Sequence, residues 1–192
     1  MESKRRIFAA AKRIFEAEGS TGLSMRKIAK AVGVTPMAIY CHYADKDEIL
    51  DALMLDAFAA WEEKVRAIRA RDPMKWLEKL AWAYLDFAID EPRRFEAAFL
   101  LSGRQARKYP DDYLAGPSVV GEMMGKRIDQ LKLEGKLAKA PTLEIALTLW
   151  ALSQGLVSMY RAGRFVSEAE FRRIYSDACA HCIRGFVPDA KI

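Results

Sequence analysis

The sequence predicts an all-α protein: an N-terminal three-helix domain over residues 1–56, followed by a larger helical domain over residues 57–192. Three observations predict it. Apolar residues recur at helical spacing in segment after segment, each ended by Pro, Gly or a polar cluster, and no stretch sustains the two-residue alternation of a strand. Ser24 to Tyr43 reads as two short helices joined by a tight turn through Val32-Gly33-Val34, the layout of a DNA-binding helix-turn-helix. The charge is also lopsided. Met1 to Ala44 holds eight Lys/Arg against three Glu, whereas Asp45 to Ile192 holds 23 of each sign, so the whole formal charge of +5 lies in the first segment. Such a split is the footprint of a phosphate-binding surface, and solubility alone would not produce it.

The first helix is expected over residues 3–18, with Ile7, Ala11, Ile14 and Phe15 as its apolar stripe. The second opens at Ser24, whose hydroxyl can accept from an unpaired N–H of the first turn, and carries Ile28, Ala29 and Val32 at helical spacing. Gly33 falls where the chain must reverse and positive φ is needed. Thr35 then caps the third helix, with Pro36 at its first position, where a missing N–H costs nothing. Ile28, Val34 and Ile39 read as core. Asp45 followed by Glu48 resembles a capping box for a fourth helix, Lys46 to Arg71. Further helices are expected over Met74–Asp90, Arg94–Ser102, Ser118–Glu134, Thr142–Ala162 and Ser167–Gly185. Gly103–Pro117, with two prolines, two glycines and Asp111-Asp112, reads as a polar loop.

Composition narrows the function. At 52% hydrophobic and 30% charged, the 192 residues hold ample material for a core. No continuous run of about 18 apolar residues occurs, so no membrane span or membrane partner is expected. The start MESKRRIF leads into an amphipathic segment rather than a signal peptide, and three cysteines without a paired pattern suit a reducing, cytoplasmic setting. No Gly-rich phosphate loop, G-x-S-x-G, H-E-x-x-H or telling carboxylate pair is present, so the chain does not read as an enzyme, and no cofactor is expected. Cys179, His181 and Cys182 lie close in sequence, but only the two cysteines share a helix face and no second pair completes a tetrahedral set, so no metal is expected.

Helix three begins Thr35, Pro36, Met37, Ala38, the part of a reader helix that reaches base edges. Thr35 can bond either base type, and the next three offer apolar surface to thymine methyls. Without Arg, Asn or Gln, this helix has no bidentate base contact, so preference would rest partly on DNA shape. Trp76, Trp82, Tyr84, Phe87, Phe95 and other large apolar residues crowd the middle helices, which suits a mostly apolar ligand pocket. Phe99, Met123, Trp150 and Gln154 are its expected lining.

Ile7, Ala11, Phe15, Gly19, Thr21, Ser24, Ile28, Ala29, Ala31, Gly33, Val34, Ile39, Tyr40, His42, Tyr43, Lys46 and Leu50 together resemble the N-terminal DNA-binding domain of the tetracycline-repressor (TetR) family of bacterial transcriptional regulators. The resemblance implies DNA-facing roles for Tyr40 and His42 and a phosphate contact for Lys46. Ser24 and Arg26, at the start of helix two, should also approach phosphate. Cys41 departs from the bulkier or basic residue usual there, so operator preference does not transfer. A second stretch, Thr148 to Phe165, resembles a regulatory-domain helix in which Trp is followed by His-Gly, with Gln154-Gly155 here replacing His-Gly. The family pattern implies a homodimer through the last two helices, where Ala146, Ala151, Ser153, Gly155, Ser158 and Ala162 would permit close approach. Expectation is therefore a ligand-responsive repressor of a palindromic double-stranded operator, released by a small hydrophobic ligand. The alternative is a helical small-molecule-binding or adaptor protein without specific operator binding.

Overall fold

The computed structural model describes residues 2–101, 108–116, 118–138 and 140–187. Its elements are α1 (Glu2–Gly22), α2 (Met25–Val32), α3 (Pro36–Tyr40), α4 (Lys46–Arg66), α5 (Pro73–Asp90), α6 (Pro92–Phe99), α7 (Asp111–Leu114), α8 (Val119–Leu133), α9 (Thr142–Arg161) and α10 (Glu168–Arg184). Among the described residues there is no strand. They form two compact units, one of residues up to Trp61 with those from Phe87 to Leu101, the other of Glu62–Asp86 with the described residues from Lys108 onward.

In the first unit, α1 buries Ile7, Ala10, Ala11 and Phe15, while Ile14 is half-buried. The helix reaches past the expected residue 18 only by kinking at Gly19, whose φ of 71° and ψ of −170° interrupt it. Ile28 and Ile39 are fully buried, and α2 packs against both α1 and α3. Val34, expected in the core, is instead 41% exposed, because it occupies the corner between the two helices and one side of a tight corner has no neighbour to pack on. Ile49, Leu53, Met54, Ala57 and Trp61 line the buried side of α4, and Lys12 of α1 pairs with Asp56 at 2.7 Å. Phe58, Trp61, Phe87, Phe95 and Phe99 form a ring cluster with centroids 5.1–6.4 Å apart.

The fourth helix stops five residues short of the expected Arg71. Ile68 N–H turns back to the Val65 carbonyl, and Arg69 donates to the Arg66 carbonyl at 2.6 Å while Lys79 takes the Arg69 carbonyl at 2.9 Å. Side chains thus satisfy the last carbonyls before Pro73 is reached. The expected loop 103–117 contains one helical turn, Asp111–Leu114, whose Asp112 carboxylate accepts from Lys108 N–H at 2.5 Å; residues 102–107 and 117 lie outside the described residues.

The second unit packs α8 on α9 and α9 on α10. Trp76, Leu77, Leu80, Tyr84 and Leu85 of α5 contribute to its core, with Ile128, Leu131, Ile145, Val157, Phe171 and Tyr175. Tyr160 stacks on Phe171 at 4.3 Å, and Arg172 bridges Asp86 and Glu168. α9 has the length and composition of a membrane-crossing helix, with a mean hydropathy of 1.2 over 18 residues of which 17% are buried, although polar residues interrupt it at Glu144, Thr148, Ser153, Gln154 and Ser158. Its exposed side includes a row of small residues, Thr148, Ala151, Gly155, Ser158 and Ala162, with the exposed Glu144 and Met159 beside them; Ser153 turns inward and Ala146 is half-buried.

Candidate nucleic-acid interface and ligand site

The turn between α2 and α3 is built by the residues expected to build it. Ser24 Oγ accepts from Lys27 N–H at 3.3 Å, and Gly33 ends α2 at φ 74°. Val34 N–H reaches the Ala29 carbonyl at 3.0 Å and Gly33 N–H the Lys30 carbonyl at 3.4 Å, so the last carbonyls of α2 are satisfied by the reversal itself. Thr35 Oγ1 accepts from Ala38 N–H at 3.3 Å and Pro36 holds the first helical position. Asp45 accepts from Glu48 N–H at 2.9 Å, while Glu48 reaches back one residue further than a capping box requires, to Ala44 N–H at 2.7 Å.

This geometry leaves Pro36, Met37, Tyr40 and Cys41 exposed on α3 and its end, with Ala38 and His42 half-buried beside them. Met37 is 74% exposed, more than any packing role would leave it. The Cys41 thiol is directed to the Met37 carbonyl at 3.7 Å. Ser24 and Arg26 lie exposed at the start of α2. Lys46 is placed differently from a free phosphate ligand: its ammonium donates to the Ser20 carbonyl at 2.7 Å and is half-buried.

The basic residues therefore divide into two sets. Lys4 lies over the Tyr43 ring and 3.8 Å from Glu48, Arg6 donates to the Val32 carbonyl at 3.3 Å, Lys12 pairs with Asp56 and Lys27 with Glu18. Arg5, Arg13, Arg26 and Lys30 are exposed and make no ion pair among the described residues. Lys30 is a candidate that sequence reasoning passed over. Its signal was present, since Arg26 and Lys30 are four apart and share one face of α2.

The expected ligand residues fall in different surroundings. Phe99, in the first unit, belongs to the ring cluster. Met123 is half-buried on α8. Trp150 and Gln154, one turn apart on α9, meet at Tyr84: Trp150 Nε1–H donates to the Tyr84 hydroxyl at 3.3 Å, and that hydroxyl donates to Gln154 Oε1. Tyr109 lies against Trp150 with centroids 5.9 Å apart. Tyr84 was one aromatic among many in the sequence, and nothing local marks it as the partner of residues some 70 positions away. Burial drives its phenol well above the ordinary value near 10, with the Trp150 hydrogen bond opposing, so it stays neutral. Burial likewise pushes the Cys179 thiol up, beside Ser153 and Tyr175, and holds Cys182 up. Neutral buried thiols are poor nucleophiles and poor metal ligands. Among the described residues, no three His, Cys, Asp or Glu side chains are grouped to hold a metal.

Residues 7–53 match the profile of bacterial regulatory proteins of the tetR family, and residues 77–181 that of the tetracyclin repressor-like C-terminal domain. The HTH-type transcriptional regulator AcrR of Shigella flexneri is 31% identical over 96 residues, 48% of this chain and 45% of that protein. The HTH-type transcriptional repressor DrrR1 of Streptomyces coeruleorubidus is 47% identical over 51 residues, 27% of this chain and 18% of that one. The chain thus spans about half, or less, of the length of these relatives. A protein of unknown function from Rhodococcus sp. RHA1 shares the fold with a TM-score of 0.73 at 23% identity, over 96% of this chain and 95% of that one. A TetR-family transcriptional regulator from Pectobacterium atrosepticum does so with a TM-score of 0.71 at 23% identity, over 99% and 96%.

Proposed function

The chain belongs to the tetR family of bacterial transcriptional regulators, and from that premise we propose that it is a homodimeric repressor released from a palindromic operator by a small hydrophobic ligand. The observation that carries the proposal is the reader surface. α3 offers Thr35, Pro36, Met37, Ala38, Tyr40, Cys41 and His42, and α2 flanks it with Ser24, Arg26 and Lys30, of which neither cation is paired internally. Base edges would be read by α3 and phosphates held from α2, a division of labour common to helix-turn-helix proteins. Lys46, in this reading, supports the reader through Ser20 rather than contacting phosphate directly.

The uncovered row of small residues on α9 supports a second copy as its cover. An apolar helix interrupted by Glu144, Thr148, Ser153, Gln154 and Ser158 suits close helix packing better than lipid. Two readers held about one DNA turn apart, roughly 34–36 Å, would match two half-sites. The reader domain is assigned to residues 1–56 and the ligand and dimer functions to residues 57–192. Trp150, Gln154 and Met123, with Tyr84 added, are the residues of the second unit proposed to sense the ligand, while Phe99 belongs to the ring cluster of the first unit. Binding would select a state in which α4 moves and the two readers no longer fit the groove spacing.

The test is a pull-down of genomic fragments with the purified protein, repeated at raised salt and sequenced. An inverted repeat recovered at both salts supports the repressor. Retention that is sequence-blind and lost with salt overturns it and favours a helical binding or adaptor protein.

A further inference from the structure

The end of α1 is fastened from three directions. Glu18 is ion-paired with Lys27 of α2, and the Ser20 carbonyl accepts from Lys46 at the start of α4. Between them lies Gly19, buried, in a backbone region essentially reserved for glycine. A Cβ on Gly19 would come within 2.9 Å of Arg93 Nη1 and 3.4 Å of its Cζ, so the guanidinium of α6 is seated against the bare α-carbon. Arg93 is steadied by Glu96 at 2.7 Å, and α6 is anchored through Phe95 and Phe99 in the ring cluster. α1 has no basic residue in its own last turn, so the partial negative charge at its carbonyl end meets cations supplied by α4 and α6. A guanidinium is planar and more weakly hydrated than an ammonium, which suits it to a seat against a buried α-carbon.

We propose that Arg93 is a positioning residue for DNA reading: seated on the kink at Gly19, it fixes the end of α1 and through it the set of α2 and α3. The inference rests on the reading of α2 and α3 as the DNA reader. Remote as Arg93 is from those helices in sequence, it contacts a segment to which α2 and α4 are both fastened.

The test uses the full chain with Arg93→Ala. Amides of Met25–Val32 should exchange with solvent about tenfold faster while those of Thr142–Arg161 keep their protection, since the loosened unit is the first one. Unchanged protection of Met25–Val32 overturns the proposal. On the duplex recovered from the genomic pull-down, affinity should fall roughly tenfold with the salt dependence unaltered. A slope reduced by about one would mean that Arg93 itself touches phosphate, and the positioning role fails. Gly19→Ala carries backbone strain of its own, so it is read against Arg93→Ala: its drop in urea midpoint should be smaller in the Arg93→Ala background, and equal drops overturn the seating. Should no duplex bind specifically, the regulator reading fails while the exchange and urea results still decide the clamp.

Discussion

Met37 is about three-quarters exposed, so its removal costs the fold almost nothing and isolates the base-reading role proposed for it. Met37→Ala is expected to weaken operator binding with no change in thermal stability. Replacing contacted thymines by uracil, which deletes only the methyl, should cost wild type about 0.8 kcal/mol per methyl, near fourfold, and cost Met37→Ala nothing further. Equal sensitivity of both proteins to uracil would exclude Met37 from the contact. The face of α3 was legible from its caps, because Thr35 and Pro36 fix where the helix starts and hence which residues lead it. Which cations stay available was not. Lys46 and Arg26 look equally free in sequence, yet one is drawn to the Ser20 carbonyl and the other left to solvent by the packing around them.

Among elements, the α2–α3 turn shows how far local rules reach. Gly33→Ala meets no atom within 4 Å, so its cost is the left-handed backbone alone, about 1–2 kcal/mol in urea unfolding. A neutral result would mean the turn relaxes to another conformation. Ser24 and Thr35 accept from the N–H three residues on, as expected of them, and Ser118 and Ser167, expected only as the first residues of their helices, act as caps in the same way. The C-terminal end of α4 escaped the same rules. Nothing between Arg66 and Arg71 breaks a helix by propensity; the stop is made by Arg69 and by Lys79, ten residues further along, which take carbonyls that another helical turn would have used.

For the whole molecule, the exposed row on α9 makes the oligomer testable. A Cβ added at Gly155 would meet no described atom within 4 Å outside its own helix backbone, so Gly155→Arg should leave the single chain folded, yield a monomer by sedimentation and lower operator affinity by at least about 100-fold through loss of the second half-site. A dimeric variant with normal affinity would remove α9 from the interface. Alkaline stability is a second global readout. Tyr84 and Tyr175 are held neutral by burial, their phenols raised above the ordinary value near 10. Their stabilising contribution is complete below that pH; above it the unfolded chain releases protons that the folded chain retains, so stability falls by about 1.4 kcal/mol per pH unit for each. Urea midpoints measured from pH 9 to 11 should show that fall, and Tyr84→Phe should flatten it by one proton; an unchanged slope would place Tyr84 in contact with water. By itself the sequence determined the helical class, the start of most helices and the position of the reader, because caps, turn glycines and apolar spacing act between residues within about four positions of each other. Only the tertiary structure decided that Tyr84 joins Trp150 and Gln154, 66 and 70 residues away, that Arg93 closes on Gly19, and which basic residues remain free. Those are choices of packing between distant segments, and no local spacing encodes which of several similar side chains will be the one that meets.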